Sequence, residues 1–384
     1  MTPTTPSPRV NPYPLVILCL VALLVLAFSL LVMEKARDGS SLPVAVAGTS
    51  QTQYRWSLVT TWPKNFPVLG TSVEQLARQV ETMSAGRLQI HVYAANEIVP
   101  ATGVFDAVSA GSVEMGHAAS YYWRGKVPAA QFFTTIPFGM NAQESNGWLF
   151  HGGGLELWRE VYAPFNLVPF PGGNTGVQMA GWFNREINSR NDLRGLKMRI
   201  PGMAGEIFNR AGGSAVNIPG GELYTALQTG VIDAAEWVGP VNDLAFGFPQ
   251  IARNYYYPGW QEPGSTLEFL INKKAWDSLP RDLQAIVEAA TRSMNQDMLD
   301  QFTANNMLAL QQIQERGVQL RRFPDEVIQH FYDISQQVYA EQAAADPVFK
   351  KVYESYHNFQ QRIRAYHDIT ELDYYKVRDT THPR

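Results

Sequence analysis

The sequence predicts an α/β protein of two similar lobes, a long helix and a helical C-terminal extension, and three features carry that reading. Near the start of the body, a strand, a helix and a second strand follow one another at the spacing of a parallel α/β unit. The segment Ala107-Val-Ser-Ala-Gly-Ser-Val-Glu114 returns as Ala226-Leu-Gln-Thr-Gly-Val-Ile-Asp233, which is the trace that two similarly built lobes would leave. From Pro280 onward, helical periodicity runs unbroken by Gly or Pro until Gly317.

The elements follow in order. Tyr54 to Thr60 reads as a strand. Ser72-Val73-Glu74-Gln75 has the pattern of a capping box, opening a helix with apolar positions Val73, Leu76, Ala77, Val80 and Met83. Gly86 ends that helix, and Leu88, Ile90 and Val92 alternate as a half-buried strand. Val113 to Ala119 is strand-like. In the long helix, Leu283, Val287, Ala290, Met294, Met298 and Phe302 step along one face and continue through Met307, Leu310 and Ile313. Residues 325–342 and 347–366 give two more helices rich in Gln and Tyr; periodicity leaves open whether they pack on their own body or reach a neighbour.

At the N-terminus, Leu15 to Met33 is an apolar run long enough to match a bilayer core of about 30 Å. It is either an uncleaved anchor or a signal removed near Ala45-Val46-Ala47, and in both cases it addresses the body to the far side of a membrane. Cys19 follows Leu18 where a lipidation site wants a small residue, so it reads as a membrane-embedded thiol. Residues 34–53, small, polar and containing Pro, form a linker.

Composition narrows the function. With 45% hydrophobic and 17% charged residues the chain is globular, and a net charge of −4 gives no basic field for nucleic acid. The single cysteine excludes an intramolecular disulfide framework and a Cys-based zinc site. No phosphate-binding loop, dinucleotide fingerprint or H-x-x-x-H pair occurs. His151-Gly152-Gly153-Gly154 has the texture of an oxyanion turn, but no G-x-S-x-G nucleophile accompanies it. His91, His117 and His151 have no partnered acid in view and read as structural or surface residues, so no catalytic residue is assigned and the chain is read as a non-enzyme.

The informative stretch runs from Gly176 to Gly264. Arg199 sits between Met198 and Ile200 in a short apolar strand, so it has an internal ion pair, faces solvent, or meets an anion. Gln178 lies in another short segment. Glu236-Trp237 closes a strand at its C-terminal end, where α/β sheets place ligands, and Trp260-Gln261-Glu262 sets an acid beside an aromatic in a turn.

Asp192-Leu-Arg-Gly-Leu-Lys-Met-Arg-Ile-Pro201, followed by Leu223-Tyr-Thr-Ala-Leu-Gln-Thr-Gly-Val-Ile-Asp233, resembles the DctP-type solute-binding proteins of tripartite ATP-independent periplasmic (TRAP) transporters. Ser84-Ala-Gly-Arg-Leu-Gln-Ile-His-Val-Tyr93 and Ala107–Gly116 read like the family's early blocks. The pairing of Gln178 with Arg199, Glu236-Trp237 and Glu262 is most similar to the TakP-like subgroup that binds 2-oxo acids.

The resemblance implies a periplasmic-binding-protein-like fold whose lobes close on ligand around a hinge, with the long helix behind both. It divides the chain into a signal or anchor with linker (1–47), lobe I (54–175 plus about 265–305), lobe II (176–264), the backing helix (about 281–316) and a helical extension (325–384) able to form a homodimer. It implies that Arg199 clamps a substrate carboxylate, because a guanidinium offers a planar bidentate fork that Lys lacks. It implies a cation, sodium or calcium, on Gln178, Glu236, the Trp237 carbonyl and Glu262, whose oxygens suit a hard ion. Tyr121 would donate its hydroxyl to the substrate, and Trp182, Trp237 and Phe246 would line the pocket. The expected function is periplasmic capture of a small 2-oxo or 2-hydroxy monocarboxylate for a TRAP permease, with the protein free or tethered to the inner membrane. The alternatives are a sensing or scavenging module that uses the same cleft for a sugar acid or other carboxylate, and a hydrolase or lyase acting on the acid.

Overall fold

The computed structural model describes residues 22–30 and 52–381. Residues 22–30 are helical and exposed; the rest of the Leu15–Met33 run, the linker up to residue 51 and the cleavage sequence lie outside the described residues. Among the described residues, no helix is long and apolar enough to cross a membrane. Residues 53–384 form a separate compact unit.

That unit contains two sheets. The first comprises β1 (Tyr54–Thr60), β2 (Leu88–Tyr93), β3 (Met115–Ala118), β4 (Leu167–Asn174) and β10 (Thr266–Asn272), in the order β2-β1-β3-β10-β4. The second comprises β5 (Gly181–Phe183), β6 (Lys197–Arg199), β7 (Ser214–Val216), β8 (Ala234–Ala235), β9 (Asn254–Tyr257) and β11 (Gln319–Arg322), in the order β11-β9-β5-β8-β6-β7. Both have the same plan. A parallel trio, β2-β1-β3 in one and β7-β6-β8 in the other, is followed by an antiparallel strand, β10 or β5, and then by β4 or β9. The antiparallel strand of each sheet is reached by crossing over from the last strand of the other, so the lobes share two connectors.

The internal sequence echo falls on equivalent places. The helix Val104–Ser109 leads into β3 and the helix Leu223–Gln228 leads into β8. Gly111 and Gly230 end the helical turns with φ of 73° and 74°, a left-handed conformation that glycine adopts without steric penalty.

Helix α1 (Leu69–Met83) covers β2 and buries Val73, Leu76, Ala77 and Val80 as its periodicity predicts. Its start differs from expectation. Ser72 is buried inside the helix, because the Gly70 N–H finds the Phe66 carbonyl at 2.9 Å and the Ser72 N–H finds that of Val68 at 3.0 Å. The first turn is thereby closed by backbone, and no side-chain cap is made.

The long helix α2 (Arg281–Glu315) agrees with the sequence reading to within a residue and packs on β4 and α1 of lobe I and on the helix Pro240–Phe246 of lobe II. In the extension, α3 (Asp325–Ala345) and α4 (Pro347–Ile369) pack against each other, and α5 (Glu371–Thr381) follows. Phe349, Val352 and Tyr356 of α4 are buried, and the Tyr356 hydroxyl accepts from the Met140 N–H at 2.6 Å, so the extension docks on its own body. The glycines after His151 are a helix junction. A Cβ at Gly154 would lie 2.7 Å from the Trp148 ring, and Gly153 takes φ of 86°.

Candidate functional site

The two connectors between the lobes run side by side and form the floor of the site. The Thr175 N–H bonds the Ser265 carbonyl and the Gln178 N–H bonds the Glu262 carbonyl, both at 3.1 Å, and the Ala180 N–H bonds the Tyr256 carbonyl at 2.9 Å. Gly259 permits this approach, since a Cβ there would lie 2.0 Å from the Gln178 carbonyl oxygen. Four polar side chains, Thr175, Gln178, Glu262 and Ser265, are therefore fixed on the hinge itself.

Lobe II supplies the charge. Arg199 ends β6 and Glu236 follows β8, whose residues pair with β6 in parallel register, so both emerge at the C-terminal edge of the sheet. Both are buried, and Arg199 Nη1 lies 2.9 Å from Glu236 Oε2 and 2.8 Å from the Glu236 carbonyl oxygen. Arg199 Nε donates to the Ile218 carbonyl at 3.3 Å. Its guanidinium stands 5.0 Å from the centre of the Trp237 ring, within cation–π range. The internal ion pair is thus real, but it engages Nη1 alone and the Ile218 carbonyl takes Nε. Nη2 meets only the Tyr122 hydroxyl, at 3.5 Å, a distance too long for a strong bond.

Lobe I closes the site with Trp62, Leu69, Tyr121 and Tyr122, opposite Arg199, Trp237 and Val238, leaving a cavity of about 10 Å³, room for about one water molecule. Tyr121 lines the cavity. Trp182 does not: it stacks on Tyr255 at 4.1 Å and donates to Asp243 at 2.8 Å in the core of lobe II. Phe246 packs behind the wall, 5.1 Å from Trp237 and 4.5 Å from Phe66. Trp62, Tyr122, Thr175 and Ser265 join the site without having been singled out as ligand contacts. Tyr122 follows Tyr121 in the chain, Trp62 lies in the loop after β1, and Thr175 and Ser265 meet through the hinge.

Electrostatics mark the site as incomplete. Burial pushes the Glu236 carboxyl well above the usual range, and the charge of Glu262 pushes the same way against Arg199. Burial also raises Glu262, to about 7, although Arg199 and hydrogen bonds from Ser265, Tyr121 and Gln178 pull it down. Burial works against the Arg199 charge too, but Glu236 holds its pKa above the ordinary value. Two acceptor oxygens, Gln178 Oε1 and Glu236 Oε1, are buried without any partner, while Gln178 Nε2 is fully engaged with Glu262, Thr175 and Ser265 at 2.8, 3.1 and 3.2 Å. Orphaned buried acceptors are costly, and amide and carboxylate oxygens are what a hard cation takes. Among the described residues no group of three or more His, Cys, Asp or Glu side chains is placed to hold a metal, so such an ion would depend on the amide and on main-chain oxygen as well as on the two carboxylates.

Comparison with known proteins agrees with this architecture. The family described as bacterial extracellular solute-binding protein, family 7 (DctP), matches residues 58–346. The chain belongs to the DctP family. A relative from Nostoc sp., called a monocarboxylate 2-oxoacid-binding periplasmic protein, is 47% identical over 322 residues, covering 83% of this chain and 88% of that one. A TRAP periplasmic solute-binding protein from Pseudoalteromonas atlantica, solved with bound sodium and pyruvate, is 47% identical with a TM-score of 0.83, over 85% of this chain and 99% of that one. Another from Colwellia psychrerythraea, solved with bound calcium and pyruvate, is 45% identical with a TM-score of 0.83, over 85% and 100%. A third, from Bordetella bronchiseptica, is 38% identical with a TM-score of 0.84, over 87% and 100%, and was solved as a mixed-occupancy dimer with calcium and picolinate. The two-lobe periplasmic-binding-protein-like fold with a helical C-terminal extension is therefore that of TRAP solute-binding proteins.

Proposed function

We propose that this chain captures a small 2-oxo or 2-hydroxy monocarboxylate in the interlobe cavity, together with a sodium or calcium ion, and hands it to a TRAP permease. The observation that carries this reading is the meeting, at one interlobe cavity lined by Arg199 and Gln178, of a guanidinium whose Nη2 is barely engaged with orphaned oxygens on Gln178 and on Glu236 behind Arg199. Pyruvate in the Pseudoalteromonas and Colwellia proteins, with sodium in one and calcium in the other, supports the same pair of ligands here.

Each residue then has a chemical task. Arg199 takes the substrate carboxylate through Nη2, the nitrogen that Glu236 and the Ile218 carbonyl leave free. Gln178, Glu236, Glu262 and the Trp237 carbonyl hold the cation, and the Tyr121 hydroxyl donates to the acid. With Glu236 and Glu262 both ionised, two carboxylates and one guanidinium leave the site one negative charge in excess, and an anionic substrate adds another, so binding is unfavourable unless positive charge or a proton enters with it. The cation supplies that charge and gives the 2-oxo oxygen a Lewis-acidic partner. Trp62, Leu69, Trp237, Val238 and Leu267 offer the apolar surface against which a short carbon chain lies.

Delivery to a permease on the extracytoplasmic side follows from the family's role. The exposed apolar residues Tyr366, Ile369, Leu372, Tyr374, Tyr375 and Val377, on and beside α5, suit a homodimer contact, and the Bordetella relative's dimer supports one.

A thermal-shift panel of 2-oxo, 2-hydroxy and sugar acids, each with sodium, calcium or neither, tests the reading. The expected result is a large, cation-dependent rise in Tm with a short 2-oxo acid. Stabilisation by a sugar acid alone, independent of the cation, would overturn it.

A further inference from the structure

His117 is fully buried on β3 and forms no part of the ligand shell described above. Its ring nonetheless ties one wall of that shell, Trp62, to β4. Nδ1 lies 2.7 Å from the Trp62 indole Nε1, and Nε2 lies 2.9 Å from the Gly172 carbonyl oxygen. An indole N–H can only donate and a carbonyl can only accept, so Nε2 must carry the proton and Nδ1 must present its lone pair. Only one neutral tautomer satisfies both contacts. Burial agrees, since it lowers the His117 pKa to about 4.

The rest of the surroundings leave this ring little freedom. Phe269 packs 4.5 Å from the His117 ring. Gly172 lies on β4 where a Cβ would come 2.2 Å from the same Phe269 ring, so the accepting carbonyl occupies a position that only glycine fits. Two residues later, at Asn174, β4 ends and the chain crosses towards lobe II; Thr175 then lines the cavity.

At the other end, the Trp62 main chain is already fixed. Its N–H donates to the Thr60 hydroxyl at 2.9 Å and its carbonyl accepts from Ala95 at 2.9 Å. What remains free is the angle of the indole, and His117 is its hydrogen-bond partner. The same indole lines the cavity, 6.3 Å from the Trp237 ring and 6.5 Å from that of Tyr122.

We propose that His117 is a positioning residue that locks the Trp62 wall of the cavity and so limits the length of acid the cavity accepts. This rests on the ligand reading above, in which the carboxylate is held at Arg199 and the carbon chain meets the apolar wall. The mechanism is steric: with the indole pinned, a longer chain meets a wall that cannot rotate away, and without the pin the wall yields.

The test uses two substitutions that split the imidazole. His117→Asn sets an amide oxygen near the place of Nδ1 and keeps the acceptor for Trp62. His117→Gln sets an amide nitrogen near the place of Nε2 and keeps the donor to Gly172, but offers Trp62 nothing. Trp62→Phe retains a ring without the N–H and reports independently if His117→Gln does not fold. Calorimetric titration with 2-oxo acids of three, four and five carbons, in saturating sodium or calcium, gives the ratio of affinities for the shortest and longest. The parent and His117→Asn should favour the short acid equally. His117→Gln and Trp62→Phe should each shrink that ratio by about tenfold, in the range that methylene discrimination spans, and their combination should shrink it no further. An unchanged ratio in folded His117→Gln or Trp62→Phe would overturn the positioning role, as would a shift in His117→Asn as large as in His117→Gln. If the parent binds none of the acids, the ligand reading itself fails, and this inference with it.

Discussion

Arg199 Nη1 stands 2.9 Å from Glu236 Oε2, and both side chains are closed off from solvent. A buried pair of this kind contributes little net stability, yet removing one member leaves the other charge stranded. Arg199→Ala should therefore lower stability by about 3–5 kcal/mol and abolish stabilisation by any carboxylate. Arg199→Lys restores the charge without the fork, so it should recover much of the stability but not the ligand response. Urea unfolding of both variants, with and without acid, separates the two effects.

Gln178 brings an orphaned Oε1 to the hinge while its Nε2 holds Glu262. Gln178→Ala should weaken cation affinity by at least roughly tenfold, the scale on which even outer-shell partners of a metal act. The sodium or calcium dependence of pyruvate binding measures this. An unaltered dependence would remove Gln178 from the cation site.

Glu268 offers a clean pH signature away from the cavity. It is buried on β10, where it accepts from Trp123 Nε1 at 2.5 Å and from the Tyr162 hydroxyl at 2.8 Å, and burial raises its pKa to about 7. A carboxyl raised on folding favours the native state below its unfolded pKa of about 4.5, and that contribution is lost as pH rises through the folded value. Glu268→Gln should flatten the stability profile between about pH 4.5 and 7 by about 3 kcal/mol, the size implied by the shift. An unchanged profile would show that Glu268 ionises at no cost, and a steeper one that folding lowers its pKa.

Closure of the lobes has its own contact. The buried Asn242 side chain, on the lobe II helix Pro240–Phe246, donates to the Pro67 carbonyl just ahead of α1 at 2.8 Å. Asn242→Ala should loosen the closed form by about 1–2 kcal/mol and weaken ligand binding roughly five- to thirty-fold, with the faster release visible in stopped-flow exchange.

Much of this was legible in the chain because the informative residues lie at the ends of regular elements. Glu236 could be placed at a strand end and Arg199 in a short strand from the apolar residues around them, and the long helix from its unbroken period. Trp62, Thr175 and Ser265 could not, since Trp62 lies in the loop between β1 and α1, and Thr175 and Ser265 sit on connectors whose course depends on the other lobe. Trp182 misled for another reason. It belongs to a three-residue strand, too short for alternation to say which face it presents, and Asp243 and Tyr255 turned it inward. At α1, the capping signal at Ser72 lost to backbone bonds formed three residues earlier. The ligand set at Gln178, Glu236 and Glu262 came from family resemblance, because spacing alone says nothing about which distant acids share a cavity.

The most direct test of the account is a calorimetric titration of the purified protein with pyruvate in sodium, in calcium, and in choline after chelation. Arg199, Gln178 and Glu236 together predict one pyruvate per chain, tightly bound with the cation and at least tenfold weaker without it. Pyruvate binding of equal strength in all three buffers would contradict the shared cation site, and no binding in any of them would contradict the assignment of the cavity to a 2-oxo acid.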